Sequence, residues 1–364
     1  MKRIKSIALF CLLFSITPAI AEPRSGHTNW GHWSFDWAVR DKAGLALLDV
    51  HYRGNLVIYK ASLPVIRVRY EPEPDGNICG PYADRIVWGF WPGPRLVSIG
   101  GRCGGKKVCQ NSFTSGGVDW LEMAVYARIG AYHLYQAWYL SSDGQIDARL
   151  FSKGLSCNAD HDHHPYWRMD FDVNGASGDQ ILHHQGNQAS GNFSVVYHQT
   201  EQNDVKDTNL NRRWLVRDQA TANLVWVLPG SDDGALDPYG FSTKDVGLRL
   251  YHSAEDQPWP FGASGHLGYL APPQNIDTQD IVFWYVAHMY HSAASGGDQW
   301  HSVGPTLRVV VPIPPPPRPR DPECVAACAD ARDVCMERFR DYGQPTSAQC
   351  NQRYNNCVAR CPRP

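Results

Sequence analysis

Two histidines one residue apart, His161 and His163, are the residues of this sequence best suited to chemistry. Side chains two positions apart on a β-strand share a face, so an unbroken strand would carry both imidazoles on one side. The apolar residues that follow continue that face: Trp167, Met169, Phe171 and Val173. Two imidazoles side by side on a core-facing strand can bind a transition metal. A β-bulge at Pro165 would shift the register of both histidines relative to this apolar face, and a surface histidine cluster or hydrogen-bonded core histidines are the alternatives.

The residues after this pair form a longer motif with it. Four residues separate His163 from the run Arg-Met-Asp-Phe-Asp-Val-Asn-Gly at 168–175. The segment resembles copper amine oxidases, which carry His-x-His, four residues, and then Arg-Leu-Asp-x-Asp-Val-Asp-Gly. The resemblance implies copper as the metal and a third histidine far downstream. His291 follows the run at 280–285 at the family's distance, whereas the nearby His288 has the opposite parity and does not align.

The acidic residues of the same motif imply a second, peripheral cation. In copper amine oxidases the two matching carboxylates, a backbone oxygen between them, and a downstream aspartate with its neighbour's carbonyl bind a calcium-like ion. The matching positions here are Asp170, Phe171, Asp172, Asp280 and Ile281. Hard oxygen ligands of this kind suit calcium. Aspartates that are simply solvated at the surface are the alternative.

A tyrosine near residue 130 implies an organic cofactor. Copper amine oxidases oxidise the tyrosine of a Gly-Asn-Tyr-Asp/Glu motif to topaquinone. A glycine, Tyr132 and a tryptophan six residues further on agree with that pattern, so Tyr132 is the implied quinone precursor. The asparagine and the acidic residue are replaced by Ala131 and His133. Ala131 cannot make the asparagine's hydrogen bond that orients the quinone ring, and an unmodified tyrosine beside the copper is the alternative.

The catalytic base of the family is an aspartate fourteen residues after a tyrosine that touches the quinone, and Asp84 follows Tyr70 at that distance. Asp75 competes for the role but lies too close to Tyr70. The resemblance implies that Asp84 removes a proton from the carbon beside the amine nitrogen, with the quinone as electron sink. The expected reaction converts a primary amine and dioxygen to an aldehyde, hydrogen peroxide and ammonia.

Two other functions fit the same residues. The first is a copper-binding relative that has lost the quinone and acts as a non-catalytic binding or interaction module, which Ala131 and His133 favour. The second is an oxidase of peptidyl lysine or another protein-linked amine, which trimmed loops around the pocket would favour. A quinone assay on copper-loaded protein separates the enzyme from the binding module.

The sequence around these motifs is organised as many short strands. Its 364 residues include 32 glycines and 26 prolines, spread as turns between short apolar runs, a pattern typical of β-structure. The resemblance covers residues 56–311 and implies a large antiparallel β-sandwich. We therefore expect a mainly β domain over residues 22–311. The arms that join two subunits in the family can be trimmed here, so a homodimer stays open.

A different composition follows the proline-rich run at 312–322, which we interpret as a stiff linker. Six cysteines in residues 323–364 have mirror-image helical spacings on either side of a Gly-Gln-Pro turn. That symmetry predicts a disulfide-linked α-helical hairpin with the pairs Cys324–Cys361, Cys328–Cys357 and Cys335–Cys350. A zinc site is the alternative. We expect this hairpin to be a structural module or to dock an unknown partner.

The remaining cysteines and the N-terminus indicate an exported protein. Two disulfides of open pairing are expected among Cys79, Cys103, Cys109 and Cys157. Residues 1–21 have a basic start, a short apolar stretch and an Ala-Ile-Ala cleavage signal, which predict a signal peptide and a periplasmic or secreted protein. A formal net charge of −2 without a basic stripe argues against nucleic acid as a partner, and no transmembrane helix is expected.

Overall fold

The computed structural model describes residues 25–40, 43–73, 75–84, 86, 95–96, 108–187, 192–231, 233, 245–252, 272–312, 320–342 and 346–362. The predicted signal peptide lies outside the described residues, as do Cys103 and most of the proline-rich run at 312–322. The chain divides into two compact units, one ending at Val311 and the other beginning at Pro312. Within the described ranges, no helix is both long and apolar enough to cross a membrane.

The first unit contains two antiparallel sheets, and the first of them carries most of the candidate site. Its strands are β1 (Ser25–Trp30), β2 (Trp33–Arg40), β3 (Gly44–Tyr52), β4 (Asn55–Tyr70), β5 (Tyr82–Asp84), β11 (His161–Phe171), β14 (Gln202–Asp204), β17 (Val246–Leu250), β18 (Ile281–Val286) and β19 (Met289–His291). They are hydrogen-bonded in the order β1-β2-β3-β4-β11-β18-β17-β14, with β5 beside β4 and β19 beside β11. The central strand β11 therefore has β4 on one side and both β18 and β19 on the other.

The second sheet faces the first and ends in the strands around residues 95 and 192. Its strands are β6 (Arg95–Leu96), β7 (Val108–Ser115), β8 (Val118–Ile129), β9 (Tyr132–Ser141), β10 (Gln145–Lys153), β12 (Asp179–Asn187), β13 (Asn192–His198), β15 (Arg213–Asp218), β16 (Leu224–Leu228), β20 (His301–Val303) and β21 (Thr306–Val310). The order is β13-β12-β15-β16-β21-β10-β9-β8-β6, with β20 beside β10 and β7 beside β8. A short 3-10 helix, Ala293–Ser295, follows β19.

The two sheets bury one apolar core between them. Strand β10 shows how the sequence produces it, because Ile146, Ala148 and Leu150 are buried while the residues between them are half-exposed. Across the core, the Trp138 ring of β9 meets the Trp167 ring of β11 edge-on, with centroids 5.0 Å apart. The predicted antiparallel β-sandwich is confirmed.

A polar link also crosses this core. Gln136 on β9 is fully buried, and its side-chain amide pairs with the backbone of Leu45 on β3. The amide oxygen accepts from Leu45 N at 2.9 Å, and the amide nitrogen donates to Leu45 O at 3.0 Å. The indole nitrogen of Trp138 donates to the same carbonyl at 2.8 Å. These bonds fix where the second sheet sits on the first.

The second unit is the predicted helical hairpin. Helix α1 spans Pro322–Tyr342 and α2 spans Ser347–Arg360. Asp321 caps α1 by accepting from the backbone at 323 and 324, and Thr346 forms a capping box with Gln349 at the start of α2. The three predicted disulfides, Cys324–Cys361, Cys328–Cys357 and Cys335–Cys350, are all present. The zinc alternative is wrong, because these sulfurs are bonded to one another.

The open cysteine pairing of the first unit is partly resolved. Cys79 bonds Cys157, which joins the chain before β5 to the segment between β10 and β11. Cys109 is also disulfide-bonded, and its partner lies outside the described residues. These bridges indicate an oxidising compartment.

Replacing Gln136 by methionine should destabilise the sandwich more than its change in volume suggests. The variant leaves the Leu45 amide without its partner across the core, so we expect the free energy of unfolding to fall by about 1–3 kcal/mol. Denaturant unfolding of the oxidised protein, followed by circular dichroism, measures this. The control is Gln110→Met on the exposed face of β7, and equal losses in both variants would contradict the role of the bridging amide.

Candidate metal centre

Three histidines converge where the central strand meets its short neighbour β19. His161 lies directly opposite His291 in the register of β11 with β19, and His163 follows on the same face of β11. The ring centroid of His161 is 5.0 Å from that of His163 and 4.8 Å from that of His291. One ligand nitrogen from each ring lies within 4.8 Å of the others, and each residue is 1% exposed. The structure thus brings the three predicted metal ligands together.

Strand β11 keeps its alternation through Pro165. Its odd-numbered residues from 167 onwards share a face with the two histidines and pack in the sandwich core. Tyr166 belongs to a separate apolar cluster on the opposite face. The irregularity in this part of the sheet lies opposite Trp167, where the pairing with β4 jumps from Val65 to Ser62. The extra residue is therefore on β4, and β11 carries the histidines and the apolar residues on one face.

The hydrogen bonds of the three rings leave on each one a nitrogen that a metal could bind. Nδ1 of His161 donates to Ala159 O at 3.1 Å, so the Nε2 lone pair accepts from the Tyr132 hydroxyl at 3.0 Å and could bind a metal in its place. Nε2 of His291 donates to Gly296 O at 3.0 Å, which leaves Nδ1 available. Both ring nitrogens of His163 are buried without a hydrogen-bond partner among the described residues. Burying such a group unpaired is costly, and a metal bond to one nitrogen removes that cost.

Burial also keeps these rings in the protonation state that binds metal. It lowers the pKa of His161 to about 4 and that of His163 well below the ordinary histidine value, with repulsion from neighbouring histidines as a smaller cause. Neutral imidazoles therefore face the site at neutral pH, and a metal does not have to displace protons from them. The donor set of three imidazoles suits copper or zinc.

The predicted tyrosines lie directly beside these histidines. The Tyr132 hydroxyl is 3.0 Å from Nε2 of His161 and is hydrogen-bonded to the Tyr70 hydroxyl. Tyr70 lies opposite His161 in the register of β4 with β11, and the two rings stack with centroids 4.5 Å apart. Burial raises the pKa of both tyrosines, so both hydroxyls hold their protons at neutral pH.

Asp84 completes the group of predicted site residues. It lies on β5, opposite Ile66 of β4, and its charge acts on the hydroxyls of both Tyr70 and Tyr132. Burial raises the pKa of Asp84 to about 6. A carboxylate with this pKa is still ionised at neutral pH and is a stronger base than a solvated aspartate.

Tyr132 is held by the backbone around it. It begins β9 directly after the two-residue turn at 130–131, and Ser156 N donates to its hydroxyl at 3.4 Å. The neighbouring Gly154 has φ +124°, and a Cβ there would lie 2.8 Å from Cα of Tyr132 and 2.4 Å from the carbonyl oxygen of Ala131. Only glycine lets this segment approach so closely.

The two departures from the amine oxidase motif differ in their consequences. Ala131 is exposed in the turn and supplies no side-chain contact to hold the Tyr132 ring. His133 points to the opposite face of β9, where Nδ1 bonds the Tyr126 hydroxyl. The alternation of side chains along a strand could have shown in advance that a change at 133 does not reach the ring of Tyr132.

His288 is not part of the histidine site. It lies on the outer side of the first sheet, where its Nδ1 is 2.8 Å from Nδ1 of His164. Its Nε2 is 2.6 Å from an Asp245 oxygen. These contacts place it in a separate buried polar network, as its parity predicted.

Sequence reasoning missed two residues that shape the site. The His301 ring on β20 lies 4.6 Å from that of His291, and its Nε2 is buried without a hydrogen-bond partner among the described residues. Asp160 accepts from Ala293 N at 2.7 Å and from the Ser292 hydroxyl at 3.1 Å, which fixes the loop after His291. Nothing in the local spacing signals His301, whereas Asp160 directly precedes the motif.

The predicted peripheral cation residues also come together. One carboxylate oxygen from each of Asp170, Asp172 and Asp280 lies within 4.8 Å of the others. Phe171 and Ile281 face each other in the register of β11 with β18, and both side chains are buried in the core, so they could contribute only backbone oxygens. Burial, with the charges of Asp170 and Asp49, raises the pKa of Asp172 to about 6.

A fourth aspartate beside this cluster was not predicted. Asp179 is fully buried, and Oδ2 accepts from Val173 N at 3.0 Å. Burial raises its pKa to about 8, and the charges of Asp172, Asp218 and Asp280 act in the same direction. At neutral pH Asp179 therefore holds its proton, and a cation beside it would stabilise the ionised form.

Solved structures share this fold. A copper-containing benzylamine oxidase from Hansenula polymorpha superposes with a TM-score of 0.61 at 13% identity, over 82% of this chain and 63% of that one. An amine oxidase from Aspergillus nidulans gives 0.62 at 14% identity, over 86% and 56%. A lysyl oxidase from Pichia pastoris gives 0.54 at 12% identity, over 85% and 56%.

The likeness is one of fold. This chain spans less than two thirds of the length of each of these oxidases, and no protein-family model matches its sequence. The shared architecture shows the fold alone, and the chemistry has to be argued from the site.

Replacing His291 by alanine should remove one bound copper ion per chain, because it deletes one of three converging ligands. The control is His288→Gln, which changes a buried histidine of the same region that faces away from the site. Copper bound after dialysis, measured by elemental analysis, distinguishes the two variants. Equal copper content in His291→Ala and the parent protein would contradict the assignment of the ligand.

Proposed function

We propose that this protein is a copper- and topaquinone-dependent oxidase of primary amines. The observation that carries the proposal is the juxtaposition of three buried histidines with the hydroxyl of Tyr132, 3.0 Å from Nε2 of His161. A tyrosine in this position is where copper and dioxygen could oxidise it. Asp84 lies close enough to act electrostatically on the same hydroxyl.

The overall reaction consumes one amine, one dioxygen and one water, and yields one aldehyde, one hydrogen peroxide and one ammonia. His161, His163 and His291 would hold the copper, which supplies one-electron chemistry with dioxygen, while a quinone at Tyr132 supplies a carbonyl and an electron sink. The substrate loses two electrons and two protons, one from the carbon and one from the nitrogen, and dioxygen gains them to form hydrogen peroxide. The chain must therefore supply a proton acceptor at the carbon beside the nitrogen.

Asp84 is the proposed proton acceptor. Its carboxylate is ionised above a pKa of about 6, and the tyrosines beside it hold their protons at neutral pH. Tyr70 has a positioning role, because its hydroxyl bonds that of Tyr132 and its ring stacks on His161. The hydrogen bond from this fixed ring limits how far the Tyr132 ring can turn, which partly compensates for the short side chain of Ala131.

The second candidate is a copper-binding module without catalysis. The specific observation in its favour is that Tyr132 has hydrogen-bond partners as an ordinary phenol: Tyr70, His161 and Ser156 N. The exposed Ala131 also leaves the ring without a side-chain clamp. In this alternative the same histidines bind copper, and Tyr132 remains unmodified.

The compartment, the second ion and the substrate follow as parts of the same proposal. Disulfides in both units fit a periplasmic or secreted protein. Calcium is the proposed ion at Asp170, Asp172 and Asp280, because hard carboxylate oxygens prefer it. A free primary amine is the proposed substrate, with peptidyl lysine as the class to compare in the same assay.

Intact mass after aerobic copper treatment tests the cofactor. Conversion of Tyr132 to the quinone consumes two dioxygen molecules, releases one hydrogen peroxide, and leaves the residue with two more oxygen atoms and two fewer hydrogen atoms. The intact mass therefore rises by that difference, and phenylhydrazine should then give a coloured adduct. Tyr132→Phe should show neither change, whereas Tyr126→Phe, on the neighbouring strand and the other face, should show both. Full copper occupancy with unchanged mass would eliminate the oxidase and leave the binding module.

The pH dependence of turnover tests the base. Because Asp84 must be ionised to accept a proton and has a pKa of about 6, kcat/KM should fall about tenfold per pH unit below that value and level off above it. Asp84→Asn should lower kcat by at least ~100-fold. The control is Asp75→Asn, which changes an exposed loop aspartate. If this variant loses activity and Asp84→Asn does not, the assignment of Asp84 as the base is wrong.

A further inference from the structure

A second cluster of metal-binding side chains lies at the edge of the sandwich where both sheets end. Strand β13 is the last strand of one sheet and β14 the last described strand of the other. His183 on β12 and His198 on β13 belong to the second sheet, whereas Asp204 on β14 belongs to the first. One ligand atom from each of the three lies within 4.8 Å of the others. This edge cluster shares no residue with the site of His161, His163 and His291.

The spacing of the edge cluster matches a coordination sphere. Nδ1 of His183 is 3.1 Å from Oδ2 of Asp204 and 3.1 Å from Nε2 of His198. Ligands bound tetrahedrally to Zn²⁺ at about 2.0–2.1 Å are separated from one another by roughly 3.3 Å. The side chains would need to move only slightly to surround an ion.

The protons available to these groups do not satisfy all of them. Nδ1 of His183 lies 3.1 Å from both the Asp204 oxygen and Nε2 of His198, and a ring nitrogen can form only one in-plane hydrogen bond, either as a donor or as an acceptor. The other nitrogen of His183, Nε2, is buried without a hydrogen-bond partner in the described part of the chain. All polar contacts of this ring are therefore on the side of the cluster. A divalent cation at that point would accept from all three groups at once.

Each outer ligand is held in place by a further group. Trp214 Nε1 donates to Oδ2 of Asp204 at 3.1 Å, and Arg212 donates to Oδ1 at 2.8 Å. The Gln202 side-chain amide contacts Nδ1 of His198 through its nitrogen. Turning this amide by 180° would place its oxygen there to accept the Nδ1 proton, which leaves the Nε2 lone pair for a metal. Such outer contacts are typical of metal ligands, since they fix the ring tautomer and orientation. Arg212 also offsets the single carboxylate charge, so the site favours an ion that binds imidazole over calcium or magnesium.

A cavity gives an ion access to this point. Its volume is about 400 Å³, and all three cluster residues line it together with residues 196–200 and 202–203. Two imidazoles and one carboxylate supply three ligands of a tetrahedral ion. The fourth position could hold a water molecule that enters through the cavity. We propose that His183, His198 and Asp204 form a second transition-metal site, suited to Zn²⁺, that joins the two sheets at this edge. The inference does not depend on amine oxidation.

The test uses the full chain, without an affinity tag and stripped of metal, in a His163→Ala background that disables the copper centre. Calorimetric titration with Zn²⁺ should find one site per chain, and Co²⁺ should give the intense visible absorption of tetrahedral coordination. Adding His183→Ala or His198→Ala should weaken Zn²⁺ binding by more than the ~10–100-fold typical of an outer-contact change. Adding His184→Ala should leave it unchanged, because that ring packs on the other face of β12 against Phe193 and Trp226.

A second measurement, the Tm of the His163→Ala protein with and without Zn²⁺, tests the site without the double variants. Zn²⁺ should raise the Tm of the His163→Ala protein, because an ion that binds only the folded state stabilises it. No Zn²⁺ binding by this protein, or equal losses in His184→Ala and His183→Ala, would overturn the proposal. In that case the cluster is a hydrogen-bonded triad that closes the edge of the sandwich.

Discussion

The pairing register of β11 with its two neighbours is the constraint on which the metal centre depends. It sets His161 opposite His291 on one side and opposite Tyr70 on the other. Side chains on a strand alternate faces. A slip of one residue would therefore send His291 to the outer side of the sheet in one pairing and Tyr70 in the other. The apolar residues further along β11 resist such a slip, because they would have to leave the core. The same residues that stabilise the sandwich therefore specify the geometry of the site.

Burial accounts for the chemical character of that site. Water is excluded from both faces of β11, so imidazoles, phenols and a carboxylate with perturbed pKa values lie next to one another. Perturbed groups of this kind concentrate at functional sites, although structural networks also produce them. The network of His164, His288 and Asp245 behind the same strand is such a case. The site of His161, His163 and His291 differs from this network because three of its ring nitrogens lie within 4.8 Å of one another.

Much of the site could be predicted because its information is local or follows a known order. Strand periodicity placed His161 and His163 on one face, the motif identified His291, and mirror spacing gave the disulfides of the hairpin. Other features depend on contacts between distant segments, which spacing does not encode. The edge cluster takes one ligand from each of three strands in two sheets, Asp179 joins the aspartates from a different strand, and the link between Cys79 and Cys157 spans 78 residues. The orientation of His133, away from the Tyr132 ring, follows from side-chain alternation along β9 alone.

The bridge between Cys79 and Cys157 connects two halves of the site that strand pairing alone does not join. Cys79 lies five residues before Asp84, and Cys157 follows Ser156, whose amide contacts the Tyr132 hydroxyl. The histidines are set by the sheet register, so they can assemble in a reduced chain. The segment before Asp84 and the one that contacts Tyr132 are joined in addition by this covalent cross-link. Loss of this bridge would therefore release the segments before Asp84 and around Ser156 and leave the strand register of the three histidines intact.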